Sequence, residues 1–67
     1  MNEFQKKKMA RYDAALLEAR RFVFKAEKAR HEIAADNSYA NVHQAAAKRA
    51  SMDLTRALAD LRRNPYS

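Results

Sequence analysis

The sequence contains no cysteine, no glycine and no tryptophan, and a single proline among its 67 residues. Without cysteine, neither a disulfide nor a thiolate metal site can staple the fold, which suits a reducing compartment and makes the cytoplasm the expected location. Glycine and proline are the main interrupters of helices, so their near absence predicts long ones. No apolar run approaches the ~20 residues of a membrane span. Lys6-Lys7-Lys8 is not followed by the apolar stretch of a secretory signal, so neither signal peptide nor membrane anchor is expected. What remains is dominated by Ala, Arg, Lys, Glu and Leu, all good helix formers. Fourteen Lys and Arg against eight Asp and Glu leave a formal charge of +6. Such a balance suits nucleic acid, an acidic protein or an anionic surface as partner. The acids are interspersed, however, and solubility alone also explains the excess.

Apolar spacing predicts an all-α chain of two helices. The first runs from about residue 3 to 35. With Met9, Leu16, Val23 and Arg30 at heptad position a, position d is Tyr12, Ala19, Ala26 and Ile33, and position g is Ala15, Phe22 and Ala29. Apart from Arg30, these form one apolar stripe more than about 100° wide. Asp36-Asn37-Ser38 breaks the pattern, because Asn tolerates left-handed backbone and Asn or Ser can cap a following helix. The turn is placed at about 36–40, with Asn41 and Gln44 as an alternative capping pair. The second helix then runs from about Tyr39 to Arg63, with His43, Ala47, Ala50, Leu54, Ala57, Leu58 and Leu61 on its apolar face. Asn64-Pro65 stops it, leaving a short tail over 64–67.

Folding the helices antiparallel pairs Ala19 with Ala57, Ala26 with Ala50, Ala29 with Ala47 and Ile33 with His43. The seam should be tight near the turn and bulkier toward the open end, where Leu16, Phe22 and Val23 are expected to meet Leu54, Leu58 and Leu61. The first dozen residues should overhang the second helix, carrying Phe4, Met9 and Tyr12 beyond it. A hairpin this small buries little apolar area, and chains without disulfides or metals commonly remedy that by self-association. The expectation is a homodimer that completes a four-helix assembly.

No nucleophile stands beside a base and an orienting group, so catalysis is not expected. No cofactor motif is present. Glu27 and His31, four apart, could share a metal, but two ligands without a third do not make a site. His43 falls on the packing face and reads as a core histidine. Lys6-Lys7-Lys8-Arg11 could touch phosphates, or simply be a solvated helix end; no zinc spacing, zipper or helix-turn-helix signature accompanies it. The informative oddity is apolar side chains off the main stripe. Leu17 and Phe24, seven apart, project together beside Arg20 and Arg21. Val42, Ala45 and Met52 make a second outward stripe near Arg49 and Arg56, and Tyr39 marks the hairpin tip. Aromatics, Met and Arg are enriched at protein interfaces, so Leu17, Arg20, Arg21, Phe24, Tyr39, Val42, Arg49 and Met52 are the candidate partner-binding residues. Dimer packing is the competing explanation for the same residues.

In length and plan the chain resembles the Rop-type helical hairpin, which dimerises into a four-helix bundle and binds paired RNA loops. Its Ala/Arg-rich composition, the Arg20-Arg21-Phe22-Val23-Phe24 run and the Asn37-Ser38-Tyr39 turn resemble the small early proteins of Pseudomonas phages, among them the quorum-sensing anti-activators. That resemblance implies a phage-encoded inhibitor or adaptor that docks on a host protein, such as a LuxR-type transcription regulator or a pilus-assembly ATPase. The Rop likeness implies a nucleic-acid-binding dimer instead. A membrane-surface helix is disfavoured because helix 2 claims the stripe of helix 1.

Overall fold

The computed structural model describes residues 1–38 and 40–63; Tyr39 and the tail over 64–67 lie outside them. Within that range the chain is two helices packed on each other, with no strand: α1 spans Glu3–Ala34 and α2 spans Ala40–Arg63. Asn2 caps α1. Its side chain accepts from the Gln5 backbone N–H at 2.9 Å, and the Gln5 side chain accepts from the Asn2 N–H at 3.0 Å, a reciprocal box that satisfies two donors at the helix start. The alternative pair Asn41 and Gln44 is not used as a cap, because Asn41 already lies inside α2.

The reversal is built on one residue. Ala35 ends α1, and Asp36 takes a left-handed φ of 52°, the only positive φ among the described residues. The Asn37 N–H reaches back to the Glu32 carbonyl and the Asp36 N–H to the Ile33 carbonyl, both at 3.0 Å. These two bonds are a Schellman closure, in which the left-handed position usually belongs to glycine. An Asp there carries a Cβ penalty and sets a negative charge at the negative end of the helix dipole. Asp36→Gly should therefore raise stability by about 0.5–1 kcal/mol, less whatever the more flexible unfolded chain takes back. Urea unfolding would show it as a higher midpoint with unchanged slope, and a lower midpoint would refute the reading.

The helices meet along a narrow line. Only Ala15, Ala29 and Ala50 are buried, at 7%, 5% and 4% exposure. Around them, Phe22, Ala19 and Ala26 of α1 and His43, Ala47, Leu54, Ala57, Leu58 and Leu61 of α2 are half-buried. The face expected of α2 is the face it uses. On α1 the seam is rotated: it runs along position g, and Leu16 and Val23 stand half exposed instead of packing on the leucines of α2. The cause is geometric. A stripe over 100° wide exceeds what one neighbouring helix can cover, and the closest approach falls at Ala15 and Ala29, away from the larger Met9, Leu16 and Val23 of position a. Arg11, Glu18, Lys25 and Glu32, on the other flank of the seam, and Lys8, in line with it, are half-buried.

The hairpin measures 51 × 19 × 12 Å, with a radius of gyration of 15.4 Å. A compact chain of this length would have about 11 Å. Its least dimension is that of one helix, so it is a single layer, whereas stable domains bury apolar faces between two layers.

Candidate interaction surfaces

The rotated seam leaves an apolar face. Met9, Leu16 and Val23 from position a and Tyr12 and Ile33 from position d are each about half exposed on one flank of α1. The same side carries an open groove of about 810 Å³ near the hairpin tip. Phe22, Ala26, Ala29 and Ile33 belong to one wall of it, and Asn41, Gln44, Ala47, Lys48 and Ser51 to the other. That Ala29 and Ala47 share this groove agrees with the pairing expected from the sequence. The opposite broad face is polar, with Glu18, Asp53, Arg56 and Asp60 around a smaller hollow. The hairpin is thus two-sided: one broad face is apolar along α1 and polar along α2, and the other is charged.

A second set of exposed apolar residues lies on the outer edges. At about 100° per residue, Phe24 and Leu17 stand roughly 140–200° round α1 from the seam residue Phe22, pointing away from α2. Both are well exposed, Phe24 at 62%. Arg20 and Arg21 are exposed on either side of them. Arg21 bonds Glu18 at 3.3 Å, and the Lys25 Nζ lies 5.9 Å from the Phe24 ring centroid, a contact worth little at an exposed site. Val42, Arg49 and Met52 are likewise exposed, but on the far side of α2, with Met52 at 66%. The candidate partner-binding residues therefore form two patches on opposite edges, not one surface; Tyr39 lies outside the described residues. The overhang residues Phe4, Met9 and Tyr12 are all exposed by about half.

The antiparallel fold also gathers charge. Lys6, Lys7, Lys8 and Arg11 at the start of α1 share the open end of the hairpin with Arg62 and Arg63, the last turn of α2. Nothing in the sequence spacing marks these six cations as one group; only the reversal of the chain joins them. Glu27 and His31 line a shallow depression with Arg30, and no group of three metal-binding side chains occurs among the described residues. His43 is half-buried. Ser51 and Thr55 turn their hydroxyls inward to the Lys48 and Ser51 carbonyls, at 2.6 and 2.9 Å, which takes them up in helix bonding. No described helix is long and apolar enough to cross a membrane.

No family model, no curated protein and no solved structure matches the chain.

Proposed function

We propose that this chain is a non-catalytic binding protein that works as a homodimer in a bacterial cytoplasm, docking on a host protein and blocking its activity. The observation that carries the reading is the outer edge of α1. Leu17 and Phe24 are large, apolar, on one side of α1 and well exposed, beside Arg20 and Arg21, and they lie off both the α1–α2 seam and the broad apolar face. A large aromatic left in water contributes little to folding, whereas at an interface it can contribute ~2 kcal/mol or more. The target class follows from the resemblance to phage anti-activators: a LuxR-type transcription regulator first, a pilus-assembly ATPase second. The Val42–Arg49–Met52 edge is a second docking patch on the same dimer.

The test uses purified LuxR-type regulator on operator DNA. The wild-type chain should bind the regulator and displace it from DNA. Leu17→Ser with Phe24→Ser should weaken that binding by about thirtyfold, the equivalent of ~2 kcal/mol, while helicity and sedimenting mass stay unchanged. Undiminished binding would remove this edge from the interface, and loss of the dimer would assign both residues to assembly.

A second reading, a nucleic-acid-binding dimer of the Rop type, is favoured by the six cations at the open end. Phosphate binding weakens steeply with salt, in proportion to the number of contacts, whereas docking through Leu17 and Phe24 should not. A salt titration of RNA binding against regulator binding separates the two.

A further inference from the structure

We propose that the broad apolar face is covered by a second copy of this chain, with the two α1 helices lying antiparallel against each other and their two-fold axis passing between Leu16 and Ala19. The pairing rests on the homodimer proposed above; docking through Phe24 stands or falls separately.

The first argument is area. The chain exposes 5631 Å², against about 4,300 Å² for a compact protein of 7.7 kDa, an excess of roughly 1,300 Å². A standard interface removes about 800 Å² from each partner, so one such contact takes up most of the excess.

The second argument identifies the occupant. The rim of the apolar face is the heptad position after d, occupied by Lys6, Asp13, Arg20 and Glu27. All four are exposed, and the one ion pair among the described residues involves none of them. Seven residues apart, they stand about 10.5 Å from one another along the helix, too far to pair within the chain. Their signs run plus, minus, plus, minus. Such a row is opposite in sign to its own reversal. Laid antiparallel on a second copy, Lys6 meets the partner's Glu27, Asp13 meets the partner's Arg20, and the other two pairs follow by symmetry. Antiparallel helices juxtapose this rim position with itself, and a two-fold interface requires such self-complementarity. Laid parallel and in step, the same row would set like charges level. A foreign helix has no need of a row that matches its own reversal.

The third argument is fit. In that register two layers inside the rim put large against small, Leu16 on the partner's Ala19 and Met9 on the partner's Ala26, and Val23 lies beside the partner's Tyr12. Such alternation interdigitates without voids. It also brings the first turns of the partner's α1 level with the alanine-lined groove near the tip. Leu17 and Phe24 remain outside the contact.

Charge exchange tests the pairing. Asp13→Arg should weaken the dimer about tenfold in sedimentation equilibrium, because it turns two favourable pairs into two repulsions, and Arg20→Asp should do the same. The double variant Asp13→Arg/Arg20→Asp should return to within about threefold of the original, since every pair is again opposite in sign. As a second measurement, mixing the two single-variant chains should give a mixed dimer tighter than either variant alone, which a mere loss of fold could not produce. Circular dichroism reads the fold in each case. Single variants that dimerise like wild type, a double variant no better than the singles, or a wild-type chain that sediments as one copy throughout the micromolar range would overturn the proposal. Regulator binding, measured on the same proteins, reports on the docking edge independently.

Discussion

Leu16→Glu is expected to reduce the sedimenting mass from two chains to one across the micromolar range. Leu16 is half exposed in the hairpin, off the α1–α2 seam, so the substitution leaves the three buried alanines untouched. In the proposed dimer it lies beside the two-fold axis, and the interface loses two leucines at once. At ~1 kcal/mol for the exposed half of each leucine side chain, association weakens by about thirtyfold before any charge repulsion is counted. Leu17→Glu, one residue along and about 100° round the helix, serves as the control. It should leave the mass unchanged. A Leu16→Glu chain that still dimerises as tightly as wild type would mean that position a is not the contact face.

Ala50→Leu should have the largest effect on the hairpin itself. Ala50 is the most buried residue described, and three added carbons have nowhere to go where the two backbones approach. Overpacking of that kind costs ~1–3 kcal/mol. For a chain this small each kcal/mol lowers the melting temperature by roughly 4–8 °C, compared at one fixed protein concentration. Ala26→Leu is the informative contrast. Ala26 is only half-buried and borders the open groove, so a larger side chain there has room and the loss should be smaller. If Ala50→Leu melts no lower than wild type, the close approach at Ala50 is wrong.

Much of this architecture could be read from residues alone, for identifiable reasons. Asp36-Asn37-Ser38 stands out because nothing else in the described part of the chain interrupts helix-forming residues, and the break falls there. The face of α2 was legible because its apolar positions fit one narrow stripe. The face of α1 was not. Its stripe is wider than one neighbour, and hydrophobicity does not say which edge is taken. The deciding signal was size: Ala15, Ala29 and Ala50 permit the closest approach, and attraction follows approach. The cap of α1 was also missed, although Asn2 and Gln5 have the spacing of a capping box. The two exposed apolar edges were picked out by apolar spacing on each helix. That they point in opposite directions depends on where the seam lies, which spacing does not encode.

The left-handed Asp36 has a consequence for topology. In a chain without glycine, the reversal begins with a backbone dihedral held in a basin that costs an L-residue roughly 1 kcal/mol or more. The neighbouring basin is ordinary right-handed helix, and a residue settled there would remove the left-handed step that ends α1 and let the chain leave it in another direction. What opposes this is the seam, and the seam does not care which chain supplies α2. Two such chains could exchange their second helices and recover every α1–α2 contact, closing a domain-swapped dimer at the cost of the turn alone. The hairpin's identity as a self-contained unit is therefore guarded locally, by the closure bonds from Asp36 to Ile33 and from Asn37 to Glu32.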